Sequence, residues 1–199
     1  MTTETRDLTA LIGSRICHDL ISPLGAISNG VELLELSGLG DSPEMALISE
    51  SVQNANARIR FFRVAFGSAN DGQNVAEREI RAVLSAGGEA RRVEILWTPV
   101  GDQPRSQVKL AFLVLQCMET AMPWGGKIVV TEQDGHWSLW AEADRFNTDP
   151  ALWALITEPD QTTNVLPAQV HYALIAPELA RQGRQAEVTL TDNSINVMF

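Results

Sequence analysis

Two long apolar patterns of helical period, separated by a turn, fill the first third of this 199-residue chain and constrain its fold more than anything after them. Between Asp7 and Glu35 the residues Ile16, Leu20, Leu24, Ile27, Val31 and Leu34 gather into one stripe at 3.6 residues per turn. Pro23 lies inside that helix and removes a backbone donor, so a local kink is expected there. Ser37 to Pro43 reads as a turn, with Ser42 as N-cap and Pro43 as the first residue of the next helix. The second helix carries Met45, Ile48, Val52, Ala55, Ile59, Phe62 and Phe66, spaced alternately three and four apart, which is a heptad seam. Two antiparallel helices cannot bury both apolar faces alone. A second copy of the hairpin would complete a four-helix bundle, so a homodimer is expected. The competing arrangement packs the hairpin on the rest of its own chain.

His18 falls roughly 165° around the first helix from the centre of the stripe. Its neighbours on that side, Ser14, Arg15, Ser22, Gly25 and Asn29, are mostly small or polar. A helix built this way presents an imidazole nitrogen to a partner. The rival readings are a solvated histidine without a task and a metal ligand. Cys17 stands roughly 100° away around the helix and makes a poor co-ligand, so no metal is expected.

The run His18-Asp19-Leu20-Ile21-Ser22-Pro23-Leu24 resembles the phosphoacceptor motif of the dimerisation and phosphotransfer domain of two-component histidine kinases. That family places an acid and a leucine after the histidine, then two variable residues, a proline and a leucine. Together with Arg60-Phe61-Phe62-Arg63-Val64-Ala65-Phe66-Gly67, the chain resembles the ChpT-type histidine phosphotransferases of alphaproteobacteria over most of its length. The resemblance implies that His18 accepts a phosphoryl group and that Asp19 raises its basicity or orients it. It also implies that Ser22 contacts the phosphoryl group and that Gly25 clears space for a receiver domain docking near Arg15 and Ser22. The receiver would bring the Mg²⁺; no cofactor of the chain's own is expected. The implied partners are receiver domains of response regulators, a hybrid kinase's upstream and cell-cycle regulators downstream.

Composition agrees with this and excludes other classes. A net charge of −10 lacks the basic footprint a nucleic-acid binder needs. Cys17 and Cys117 are too few for a disulfide framework, which points to a reducing compartment. The polar start Met1 to Asp7 has no apolar signal segment behind it, and no apolar run approaches a membrane span. A cytosolic protein is expected.

The polar, glycine-containing run Gly67 to Asn74 reads as a boundary. The expected domains are residues 1–67, the phosphotransfer hairpin; 68–74, a linker; and 75–199, an α/β sandwich, giving an α+β chain. In the second domain the pattern predicts a helix from Val75 to Ala86 ended by Gly87-Gly88, a strand Val93–Trp97 and a helix from Val108 to Met122. A hairpin of Lys127–Thr131 and Trp137–Ala141 turns at Asp134-Gly135. Helices from Pro150 to Thr157 and Pro167 to Gln182 precede strands Glu187–Thr191 and Ser194–Phe199, which turn at Asp192-Asn193. The five tryptophans all fall in this half, and a packing role is expected for them.

The order resembles the ATP-binding domain of histidine kinases, with Gly125-Gly126-Lys127-Ile128-Val129 matching the start of its hairpin. Its nucleotide motifs are missing. Cys117 or its neighbours stand where that family places a Mg²⁺-binding asparagine. Asp144 is followed by Arg145-Phe146-Asn147 instead of a glycine loop. Thr162 to Pro167 replaces the glycine-rich segment before the last long helix. His136, in the hairpin turn, and His171, beside Tyr172, read as surface or satisfied-core residues. The expectation is a phosphotransferase that relays phosphate through His18 and does not use ATP. The alternatives are an ATP-dependent kinase with drifted motifs and a non-catalytic dimeric scaffold.

Overall fold

The computed structural model describes residues 8–39, 42–70, 72–86, 92–158 and 163–199. The helix start at Asp7, the polar terminus before it, Gly40, Asp41, Asp71, the helix stop at Gly87-Gly88 and Thr162 lie outside the described residues.

The hairpin is α1 (Leu8–Leu34) followed by α2 (Pro43–Phe66). Helix α1 continues through Pro23, whose missing N–H leaves the Asp19 carbonyl without its helical donor. The helix ends in a wider turn, Glu35–Leu39, where Gly38 takes a φ of 76°. Ser42 caps α2 by accepting from the Met45 N–H at 3.2 Å, and Pro43 is the first helical residue.

The helices meet along a line different from the predicted stripe. Ala10, Cys17 and Val31 are the buried residues of α1, and Val52, Phe61, Val64 and Ala65 those of α2. Of the expected stripe, Ile16, Leu20, Ile27 and Leu34 are exposed, as is Ile48 of the expected seam. The physical reason is close approach. Gly13 passes so near Phe66 that an added Cβ would lie 2.8 Å from the Phe66 carbonyl oxygen. Ser14 Oγ accepts from the Ser68 N–H at 3.0 Å. These small residues roll α1 so that Cys17 faces α2 and the large apolar side chains face outward.

The second half places β1 (Asn74–Val75), α3 (Glu77–Ser85), β2 (Val93–Trp97), β3 (Gln103–Pro104) and α4 (Arg105–Ala121) before the long hairpin of β4 (Gly126–Gln133) and β5 (His136–Glu142). Then come α5 (Pro150–Thr157), α6 (Val170–Arg181), β6 (Glu187–Leu190) and β7 (Ser194–Met198). The main sheet has the order β2-β4-β5-β7-β6, with β2 and β4 parallel and the other pairs antiparallel. The parallel pair requires a crossover, and α4 supplies it. Asp134 (φ 51°) and Gly135 (φ 83°) form the two-residue turn that the sequence predicts. Asp149 caps α5 through the Ala151 N–H at 3.0 Å.

Three departures have local causes. Val75 pairs with Gln103 in a short ladder, so α3 begins at Glu77 instead of Val75. The last long helix opens as a 3-10 turn, Pro167–Gln169, before α6 proper. His136 opens β5 instead of sitting in the turn.

Helix α4 is buried nearly all round, with Leu110 to Leu115 completely inaccessible. Alternate residues Ile128, Val130, Leu139, Ala141, Ile195 and Val197 face it from the sheet, leaving the other sheet face to solvent. Aromatic contacts run from Phe61 of α2 to Phe112 (4.9 Å), Trp97 (6.3 Å), Trp137 (5.4 Å) and Phe199 (6.1 Å), so hairpin and sandwich share one core. Trp97, Trp137 and Trp153 pack as expected. Trp124 and Trp140 do not: they are 55% and 39% exposed, and the Arg145 guanidinium lies 3.5 Å above the Trp124 ring. No described helix is long and apolar enough to cross a membrane.

Candidate functional site

The contacts at Gly13 and Ser14 set the direction of the side chains one turn further along α1. With Cys17 turned inward, His18 lies about 100° around α1 on the flank of the hairpin, where it borders the cleft beside α2 and its side chain is 81% exposed. His18 Nδ1 lies 3.2 Å from Asp19 Oδ1, and the other carboxylate oxygen of Asp19 accepts from Arg15 Nε at 2.8 Å. The hydrogen bond with His18 and the nearby Arg15 hold the Asp19 carboxyl below the usual carboxylate range. An anionic Asp19 is an acceptor for a proton on Nδ1; in the tautomer that donates this bond, Nε2 carries the lone pair.

Sequence-predicted site residues therefore separate into those brought together and those not. Arg15, His18 and Asp19 form one hydrogen-bonded group. Ser22 and Gly25 lie one and two turns along α1, Ser22 exposed and Gly25 half-buried, with no described contact to His18. A Cβ on Gly25 would meet nothing within 4 Å, so packing within the chain does not require a glycine there. Among the described residues, no cluster of three or more His, Cys, Asp and Glu side chains is placed to hold a metal ion.

The structure adds a wall that sequence reasoning missed. An open cleft of about 450 Å³ runs beside α1, lined by Ser14, His18 and Ile21 on one side and by Arg63, Glu79 and Arg105 on the other. Arg63 Nη2 donates to Glu79 Oε1 at 2.9 Å across the gap between α2 and α3. Arg105 donates to the Val64 and Arg63 carbonyls, both at 2.7 Å. Arg63 lies in the stretch Arg60 to Gly67 that carries the family resemblance, but nothing in that stretch marks it as part of a wall, and residues 79 and 105 carry no local signal.

His171 is 3% exposed, 3.4 Å from Thr120 Oγ1 by its Nε2, and burial lowers its pKa to about 4. It is a satisfied core residue. His136 is exposed at the start of β5.

The chain is similar to known proteins over most of its length. The histidine phosphotransferase C-terminal domain model matches residues 77–194. The protein phosphotransferase ChpT of Brucella abortus (strain 2308) is 33% identical over 208 residues, covering 96% of this chain and 95% of that protein. The solved structure of a bacterial phosphotransferase superposes with a TM-score of 0.69 at 29% identity, covering 100% of this chain and 98% of its own. The chain thus belongs to the histidine phosphotransferase family, as a ChpT-type protein phosphotransferase of two-component signalling.

Proposed function

We propose that His18 is the phosphoryl acceptor of this phosphotransferase and that the chain relays phosphate between receiver-domain aspartates. The observation that carries this reading is the pairing of His18 Nδ1 with an anionic Asp19 on an outward-facing turn. In the first step the Nε2 lone pair attacks the phosphorus of an aspartyl phosphate. The N–P bond forms as the P–O bond to the donor carboxylate breaks, and the carboxylate leaves with the electron pair. The ring keeps its Nδ1 proton and becomes cationic, and Asp19 lies beside that charge. A second receiver's aspartate then takes the phosphoryl group by the reverse sequence. The receiver's Mg²⁺ and lysine would balance charge on the transferring group, and this chain would contribute orientation and a docking surface. Ser22 would contact the phosphoryl group, and the open space at Gly25 would admit the receiver, with Arg15 at the edge of the docking face.

The bundle is a homodimer in this reading. Ile16, Leu20, Ile27 and Leu34 form an exposed apolar face on α1, and a second hairpin would cover it. The second domain does not use ATP. Cys117, where a kinase would carry its asparagine, is fully buried, and its carbonyl accepts from the Tyr172 hydroxyl at 3.1 Å. Trp153 packs edge-on against Tyr172 at 5.4 Å, filling the space beside α4. The cellular setting would be a cytoplasmic phosphorelay of the cell cycle.

The test is a chase. A labelled receiver is mixed with the protein and then with a second, unlabelled receiver. Acid-labile label should pass through the protein to the second receiver, and His18→Ala should stop it. Label passing through His18→Ala would contradict the assignment.

A further inference from the structure

The cleft beside His18 holds a cation that the acceptor reading leaves unused. Antiparallel packing sets the level: Ser14 meets Ser68, so one turn along α1 faces one turn back along α2. That brings His18 level with Arg63. The neighbouring Cys17 supports this, because burial raises its thiol pKa while the Arg63 guanidinium is close enough to pull it down. Arg63 and His18 line the same opening.

The other two guanidiniums near it are committed. Arg15 is turned to Asp19, on the side of the ring carrying Nδ1. Arg105 is spent on the carbonyls of Arg63 and Val64. Arg63 has a different tether, the Glu79 carboxylate at 2.9 Å, with the side chains 51% and 44% exposed. Such a solvent-washed pair holds weakly against a stronger competitor. A phosphoryl group on Nε2 is that competitor: it carries close to two negative charges and presents oxygens matched to a guanidinium fork.

We infer that Arg63 is a phosphoryl-contacting residue, parked on Glu79 while His18 is bare and transferred to the phosphoryl oxygens when His18 is phosphorylated. This rests on His18 being the acceptor. No proton moves in the exchange: one N–H···O bond to the Glu79 carboxylate is replaced by bonds to phosphoryl oxygens. Glu79 becomes the competitor that recovers Arg63 when the group departs. It therefore sets how readily phosphohistidine gives up its phosphate.

The experiment uses the full chain and potassium phosphoramidate, a small donor that requires no docked receiver and releases ammonia as the N–P bond to His18 forms. Phosphohistidine yield and half-life are read by ³¹P NMR. Arg63→Gln should lower the yield or half-life about tenfold, and Arg63→Lys should recover part of the loss. Glu79→Gln, which frees Arg63, should change both in the opposite direction. A purely structural role for the pair would make both variants worse together, and that result would overturn the inference. So would yields and half-lives equal to wild type in both. An unlabelled wild type, or label kept in His18→Ala, would instead remove the acceptor assignment, and this inference with it.

Discussion

Arg105, the first residue of α4, donates from Nη1 to the Val64 carbonyl at 2.7 Å and so ties the end of α2 to the second half of the chain. Its Nη2 reaches the Arg63 carbonyl at the same distance. The last carbonyls of a helix have no intrahelical donors and carry the negative end of its dipole. A guanidinium fork satisfies both needs. Arg181 adds a bond to the Ala69 carbonyl at 2.9 Å, and its own partner Glu178 is buried against Lys109 at 3.3 Å. Replacing Arg105 by Ala strips those carbonyls and should destabilise the chain by about 2–3 kcal/mol. Urea unfolding checks this; a midpoint equal to wild type would show that the tie is dispensable.

Two glycines should respond in opposite ways. Gly67 has an extended backbone open to any residue (φ −72°), but an added Cβ would strike the Arg63 carbonyl. Gly67→Ala should lose about 1–3 kcal/mol in thermal unfolding. Gly25→Ala places a methyl in open space within a helix and should gain about 0.5–1 kcal/mol. If a receiver fills that space, the same variant should accept phosphate more slowly from a labelled receiver. Greater stability with unimpaired transfer would remove Gly25 from the docking face.

His171 gives the fold a pH dependence. Its folded pKa of about 4 lies below the usual value near 6.5, so the unfolded chain binds the proton first as pH falls. The stability contribution is fully present above pH 6.5 and is lost as pH drops toward 4, by at most about 3 kcal/mol. His171→Phe should flatten stability over that window while leaving the acid unfolding of exposed carboxylates in place. Equal slopes in the two proteins would contradict this.

The apolar face of α1 is tested by charge. Leu20→Asp adds a carboxylate to a side chain that is 45% exposed in the single chain, so the fold itself should survive. Light scattering should show wild type at twice the chain mass and the variant at the chain mass. Wild type at the single-chain mass would refute the paired bundle.

Features that rest on a few adjacent residues are legible in the sequence. Ser42-Pro43 and Asp134-Gly135 need no tertiary information, because a cap and a two-residue turn are set by local backbone chemistry. His18 is exposed, as expected, but not by helical spacing alone: the stripe expected to lie opposite it is itself largely exposed, and the packed side is the one carrying Cys17. The α1 stripe is legible as apolar, but its partner is not: Gly13 and Ser14 decide which side meets α2, and neither is hydrophobic. The ladder of Val75 with Gln103 is too short to leave a period. The cleft wall joins Arg63, Glu79 and Arg105 from three helices, so it exists only once the chain has folded.

The central claim concerns one nitrogen. The full chain, labelled with ¹⁵N at its histidines and phosphorylated by a receiver, can be read by ³¹P and ¹⁵N NMR to locate the N–P bond. The predicted result is a single phosphorylated histidine, His18, bonded through Nε2 with the proton retained on Nδ1. Phosphate found on Nδ1, on His136, or on no histidine at all would contradict it.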